Sequence, residues 1–324
     1  MKNALRNLTL LLVSIPLCIV LAEVLTQTVV SKILLKGRLF ESDAVVGWKV
    51  LPNLNLQRRN ADGNPWVVRT DQLGQRIMAD PKPSTHRLLI LGDSFAFGQG
   101  VDVEQRFDAR LSGMSYDIIN SGVMGYGTDQ QFLAAEPYLN ELQNGDLILL
   151  LTYFNDFYDL SVTDQSGRAK PRYTIVNGGL VMHPPRTGFH NWLSDQSYLY
   201  ATLSSRIAKQ QTTTEEDLLQ AAKVYNLLIA EHFARLESRG VQLVVAHHGV
   251  SGMPASTPKD IILSAINLVC ASGYCINLDK HIDVTKNKEL YLKDGHWNAE
   301  GHRLVGIVIA EKLNRMKQTR SDPQ

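Results

Sequence analysis

The sequence predicts an α/β chain: a doubly wound parallel sheet with helices on both faces, preceded by an N-terminal membrane helix. Three observations lead there. From Arg87 onward, short apolar runs of strand length alternate with longer runs of helical character, the pattern of a parallel sheet covered by crossover helices. The first of those runs, Leu88 to Leu91, stops abruptly at Gly92-Asp93-Ser94, where an α/β protein turns from strand into helix. Before them, Leu8 to Ala22 is almost wholly apolar.

The N-terminal segment comes first. After Lys2 and Arg6 the apolar run is interrupted by Pro16 and ended by Glu23, and Val24 to Leu35 stays fairly apolar. The strict run falls short of the roughly 20 residues that span a bilayer, but Leu8 to Val30 is long enough if Glu23 and Gln27 sit near an interface. A signal peptide is the rival reading. No A-x-A cleavage site follows, and Ile15-Pro16-Leu17-Cys18 lacks the small residues of a lipoprotein site, so an uncleaved anchor over residues 1–35 is preferred. Lys2 and Arg6 on one side nearly balance Lys32, Lys36 and Arg38 on the other, so flanking charge does not set the orientation.

Residues 36–86 carry Gly47-Trp48, Pro52-Asn53, Asp62-Gly63-Asn64-Pro65 and Asp71-Gln72-Leu73-Gly74 between short β-like pieces such as Trp66-Val67-Val68. They read as a β-rich lead-in packed on the main domain. The main domain spans 87–318. Strands are predicted at Arg87–Leu91, Tyr116–Asn120, Asp146–Leu151, Val241–His247 and Cys275–Leu278, and helices at Gln105–Leu111, Asp129–Leu142, Glu215–Ser238, Pro258–Ala271 and Ala299–Lys312. The helix from Glu215 is the clearest: Thr214 is a candidate N-cap, Glu215, Glu216 and Asp217 suit the dipole, and Leu218, Ala222, Tyr225, Ile229 and Phe233 line one face. Residues 157–211, with Pro171, Pro184, Pro185 and Gly178-Gly179, fit no regular unit. An insertion at the C-terminal edge of such a sheet overhangs the crevice, so a substrate-shaping cap is expected there. Residues 319–324 read as a flexible tail.

The 324 residues can bury a full core, and a formal net charge of +1 leaves no electrostatic footprint for nucleic acid. Cys270 and Cys275 either close a small loop, stable only in an oxidising compartment, or remain two thiols, while Cys18 reads as a small hydrophobe of the anchor. His247-His248 invites a metal reading, but no HExxH or acidic cluster accompanies it, so neither metal nor other cofactor is expected.

The chemistry rests on four blocks in order: Gly92-Asp93-Ser94; Asn120-Ser121-Gly122-Val123-Met124-Gly125; Thr152-Tyr153-Phe154-Asn155-Asp156; and Asp294-Gly295-His296-Trp297-Asn298. A serine alcohol is too weakly acidic to attack an ester unaided, so Ser94 needs a general base, for which His296 is the candidate. Asp294 would accept the other imidazole N–H and fix the tautomer. Asp93 and Asp156 are expected to hold loop hydrogen bonds, and His302 to pack or cap. Trp297 either supports the His296 loop or stacks on a sugar.

Ser, Gly, Asn and His in that order resemble the blocks of the SGNH/GDSL hydrolase superfamily, over roughly Arg87 to Lys312. The G-x-S-x-G elbow of α/β-hydrolases is not found. The resemblance implies a flavodoxin-like three-layer fold, catalytic residues Ser94, Asp294 and His296, and an oxyanion hole formed by the backbone N–H groups of Ser94 and Gly125 and the amide of Asn155. Many members have two residues between the aspartate and the histidine, whereas here Gly295 stands alone. This D-x-H-W arrangement is similar to that of proteins acting on acylated bacterial exopolysaccharides, such as the alginate acetylation proteins. The activity so implied is that of a serine esterase or O-acyltransferase working through an acyl-enzyme on small acyl groups of envelope or secreted glycans. Such an enzyme would be anchored in a bacterial inner membrane with its catalytic domain facing the periplasm or exterior. The alternatives are a lipid or carboxylester hydrolase and a non-catalytic glycan-binding subunit on the same fold.

Overall fold

The computed structural model describes residues 2–33, 38–78, 81, 84–165, 167–186, 188–207, 212–272 and 274–321. Helix α1 is Lys2–Thr28, and two antiparallel hairpins follow, β1 Phe40–Asp43 with β2 Gly47–Val50 and β3 Asn55–Arg59 with β4 Pro65–Arg69. The main domain then runs β5 Arg87–Gly92, α2 Ser94–Phe97, β6 Asp117–Asn120, α3 Thr128–Leu139, β7 Leu147–Tyr153 and α4 Asn155–Ser161. The insertion holds β8 Asp164–Gln165, β9 Arg168–Ala169, β10 Arg172–Val176, β11 Gly179–His183, α5 Phe189–Gln196 and α6 Tyr198–Ile207. The chain closes with α7 Glu215–Glu237, β12 Gln242–His248, α8 Lys259–Ser272, β13 Tyr274–Asn277 and α9 Ala299–Ser321.

The central sheet has five strands in the order β13-β12-β7-β5-β6, every neighbouring pair parallel. The two-residue period of a strand divides the core into two layers. Leu89, Leu91, Ile148, Leu150, Leu243 and Val245 pack against α3, α7 and α8, whereas Leu88, Ile90, Leu147, Leu149, Leu151, Val244 and Ala246 pack against α9, Phe107 and Trp297. Apolar side chains on both faces explain why these strands read as continuous hydrophobic runs. At the start of α7 the expected cap is present: Thr214 Oγ1 accepts from Asp217 N at 3.2 Å and Asp217 Oδ2 accepts from Thr214 N at 3.0 Å.

The lead-in hairpins pack on the turn that follows the first core strand. Trp66 and Val68 join Phe97 in one apolar cluster, and the buried guanidinium of Arg76 donates to the carbonyls of Phe97, Gly98, Val101 and Val67 at 2.9–3.2 Å. Burial, with the nearby Arg106 charge, lowers the Arg76 pKa to about 9.

Several expectations need correction. Gln105–Leu111 is not a helix: two short 3₁₀ turns, Val103–Gln105 and Phe107–Arg110, are separated by an extended Arg106 (ψ 154°) whose side chain folds onto Asp108, with Nε–Oδ1 at 2.9 Å. Helix α3 ends at Leu139, two residues after Pro137, instead of reaching Leu142. Helix α9 runs beyond Lys312 to Ser321, so 319–321 continue a helix, while 322–324 lie outside the described residues, as do the 35/36 boundary and 208–211. Among the described residues of 157–211 there is regular structure: the end of α4, two small hairpins and helices α5 and α6. Cys270 and Cys275 are joined as a disulfide between the end of α8 and β13, their Cα atoms 5.2 Å apart. Within α1, Arg6–Thr28 is long and apolar enough to cross a membrane, a length and composition that a signal sequence shares.

Candidate active site

A parallel sheet in this order reverses its winding between β5 and β7, and the crevice at that switch point, outside the carboxyl ends of the strands, is where such folds bind ligands. Ser94 follows β5 and Asn155 follows β7, so both reach that crevice. A cavity of about 330 Å³ there is lined by Ser94, Gly125, Asn155, Asp294 and His296, together with Phe40, Tyr153, Gln99, Gln165 and Arg168. All five predicted site residues therefore meet in one place.

Ser94 is the first residue of α2, with Asp93 as N-cap accepting from Phe95 N at 2.9 Å. The Ser94 Oγ lies 2.8 Å from His296 Nε2 and 3.3 Å from Asp93 Oδ2, so the hydroxyl proton has two acceptors, the imidazole at the shorter distance. His296 Nδ1 is 3.2 Å from Asp294 Oδ1. One intervening residue suffices because Gly295 adopts φ +87°, a left-handed turn closed by Gly295 N donating to Leu292 O at 2.9 Å, which folds the Asp294 carboxylate back onto the ring. Burial works against the Asp294 carboxylate, but the hydrogen bonds and charge of His296, helped by Gln99, leave its pKa below the usual value. Gln99 Nε2 sits 3.4 Å from both Asp294 Oδ2 and His296 Nδ1.

Three residues with N–H groups border the space beside Ser94. The Ser94 N–H opens a helix and has no carbonyl four residues back to serve. Gly125 holds φ +79°, and a Cβ added there would stand 2.8 Å from Gln165 Oε1; among the described residues no carbonyl takes its N–H. Asn155 donates through Nδ2 to Asp159 Oδ2 at 3.2 Å, which orients the amide beside Ser94.

Behind these donors lies a buried acidic group. Burial raises the Asp93 pKa against the pull of Phe95 N–H, the His296 charge, and hydrogen bonds of Ser94 and Asn155. Asp156 is raised well above the carboxylate range by burial and by Asp93 and Asp159. Asp159 is pushed to about 8, chiefly by burial, with Lys170 opposing. Lys170 comes from the insertion and is fully buried, its Nζ 3.0 and 3.1 Å from the Asp129 oxygens and 2.6 Å from Asp159 O. Gln165 Nε2 also donates to Asp159 Oδ1 at 2.9 Å. The insertion is thus fastened to the floor of the site, a link the sequence reading missed, as it missed Gln99, Gln165 and Arg168.

The remaining candidates have structural places. Trp297 is fully buried, its ring 4.7 Å from Phe95, so the sugar-stacking reading is ruled out. His248 and Phe95 complete that aromatic bed, and Phe95 is 5.0 Å from the His296 ring. Burial, joined by neighbouring positive groups, pushes the His247 pKa down to about 4 and His248 well below its ordinary value. His302 stacks on Phe107, and burial lowers its pKa to about 3.

No protein-family model matches the chain, and a comparison with curated proteins found none similar. Among solved structures the chain is similar to a member of the lipolytic G-D-S-L family from Veillonella parvula (12% identity, 70% of this chain and 97% of that one, TM-score 0.43). It is also similar to TesA (14% identity, 70% and 98%, TM-score 0.41) and to an acetylxylan esterase from Geobacillus stearothermophilus (12% identity, 72% and 94%, TM-score 0.39).

Proposed function

We propose that this chain is an SGNH-type serine esterase or O-acyltransferase, anchored by α1 and working through an acyl-enzyme on Ser94. One observation carries the reading: Ser94 Oγ, His296 Nε2 and Nδ1, and Asp294 form a continuous line at 2.8 and 3.2 Å in the switch-point crevice. His296 takes the hydroxyl proton as Ser94 attacks the ester carbonyl, and Asp294 stabilises the resulting imidazolium. The N–H groups of Ser94, Gly125 and Asn155 meet the oxyanion. His296 then delivers the proton to the leaving alcohol, and water or a sugar hydroxyl releases the acyl group from Ser94. A cavity of about 330 Å³ with Gln99, Gln165 and Arg168 at its walls suits a small acyl group on a polar carrier such as a glycan.

The test uses the full-length chain in detergent with aryl acetate, butyrate and octanoate esters, acetylated xylan, and a fluorophosphonate label. Turnover should be highest with acetate, and Ser94→Ala should abolish both turnover and labelling. Absence of labelling in the unaltered chain would point to a glycan-binding subunit instead, and a preference for octanoate to a lipid esterase.

A further inference from the structure

Outside the site, the insertion helices carry an apolar surface that the fold does not cover. Phe189 (72% exposed), Trp192 (55%), Leu203 (49%) and Ile207 (77%) on α5 and α6 are turned outward, and the rings of Phe189 and Trp192 stack with centroids 5.4 Å apart. Single exposed apolar residues are ordinary, but these lie beside the one described helix apolar enough to cross a membrane, since α6 packs on α1.

The contact between α1 and α6 is specific. Glu23, on α1, accepts hydrogen bonds from Ser197 Oγ (2.6 Å), Tyr198 N (2.7 Å) and Leu199 N (3.1 Å). The first N–H groups of a helix have no partner of their own, and a carboxylate in an apolar segment is costly unless it is satisfied, so each supplies what the other lacks. The same corner is tied a second time after the anchor: Arg38 Nη2 donates to Ser194 O at 3.2 Å, and its guanidinium lies over the Tyr198 ring at 5.3 Å. These ties fix a level. Glu23 stands five residues before the end of α1 at Thr28, about 7 Å along the axis. The start of α6 is therefore held against α1 about one and a half turns before the C-terminal end of that helix.

We propose that α5 and α6 form an interfacial arm that lies in the headgroup layer of the lipid bilayer entered by α1, with Phe189, Trp192, Leu203 and Ile207 toward the acyl chains. This rests on reading α1 as a membrane anchor. Aromatic rings gather at that level, because their apolar bodies and polar edges match the boundary. The arm also sets where the candidate site works. His190 on α5 lies 3.0 Å from Gly167 O, and the adjacent Arg168 lines the site cavity, so the crevice is held close above the membrane surface.

The protein carries its own reporter. Of its four tryptophans, Trp48, Trp66 and Trp297 are buried and Trp192 alone is exposed. The full chain is reconstituted in phosphatidylcholine vesicles brominated high on the acyl chains, and emission is compared with that of Trp192→Phe. The Trp192 component should fall by about twofold or more in brominated lipid and resist aqueous iodide. Glu23→Leu, which keeps α1 apolar while freeing the start of α6, should reverse that pattern without making the chain extractable by alkaline carbonate. A chain that resists carbonate while its Trp192 is quenched by iodide, or by neither agent, overturns the arm and leaves the anchor standing; the latter result indicates a protein neighbour. Extraction of the unaltered chain by carbonate overturns the anchor itself. Equal quenching by lipid in Glu23→Leu and the unaltered chain removes Glu23 as the tie.

Discussion

Replacing Asp294 by alanine tests the proposed line of proton transfer at its most exposed member. The carboxylate is 3.2 Å from His296 Nδ1, and its side chain is 36% exposed. Two unit charges at that distance attract by about 1.3 kcal/mol at the dielectric constant of water and by about 5 kcal/mol at an effective value near 20. Partial exposure places the imidazolium stabilisation between these limits, at about 2–4 kcal/mol, which corresponds to a fall of about 30- to 1,000-fold in kcat/KM. The assay is steady-state hydrolysis of an aryl acetate by the full chain in detergent, with His296→Ala and Ser94→Ala beside it. His296→Ala should lose about 10³-fold or more, and so at least as much as Asp294→Ala. His302→Ala should not, because that ring stacks on Phe107 away from Ser94. A loss under about threefold for Asp294→Ala, or one confined to KM, would refute the argument that this carboxylate acts on the developing imidazolium.

Asn155→Ala should lower kcat by about 10²–10³ with KM nearly unchanged, because the charge it meets exists only in the transition state; a pure KM effect would make Asn155 a ground-state contact. Acid should destabilise the fold through His302: held neutral with a pKa of about 3 but free to protonate near 6.5 when unfolded, it contributes stability that is complete above that value and lost as pH falls below it. The loss is about 1.4 kcal/mol by pH 5.5, and urea titrations of His302→Gln should show a slope flattened by that amount. Lys170→Met leaves the buried Asp129 charge unpaired and should cost about 3–5 kcal/mol in urea unfolding, most of it recovered in the double variant with Asp129→Leu. Alkaline phosphatase fused after Gln324 should be active and a fluorescent protein that matures only in the cytoplasm should stay dark; the opposite pattern would place the site in the cytoplasm.

How much of the molecule was legible in its sequence depends on the range of the forces involved. The core strands, buried on both faces, could be read as unbroken apolar runs, and Thr214 announced α7 by local capping chemistry alone. Ser94 and His296 could be singled out from their blocks and the chemistry of an activated serine, whereas Gly125 and Asn155 came from the resemblance of the four ordered blocks to the SGNH/GDSL superfamily; the structure brings all four to one cavity. Gln99, however, reaches Asp294 across 195 residues of chain, and Gln165 and Lys170 meet Asp159 only because the insertion folds back. No local pattern marks such side chains. Strands as short as β8 and β9, two residues each, carry no period to detect. At Arg106 a buried ion pair with Asp108, only two residues on, holds the chain extended where a helical turn was expected, and Trp297 sits in a loop, where burial leaves no periodic trace.

The Arg76 guanidinium has a consequence for where the unit that holds Ser94 begins. It bonds the carbonyls of Phe97, Gly98 and Val101, which close the turn behind the short helix bearing Ser94, and it lies over the rings of Trp66 and Phe97. A shortened chain started at Arg87, where the α/β pattern begins, would discard this wedge and leave those carbonyls facing an empty slot. The smallest fragment expected to keep Ser94 in place therefore begins no later than Leu39, whose side chain joins Trp66, Val68 and Phe97. The two hairpins that resemble a stalk between α1 and the α/β domain belong, in this sense, to the candidate site.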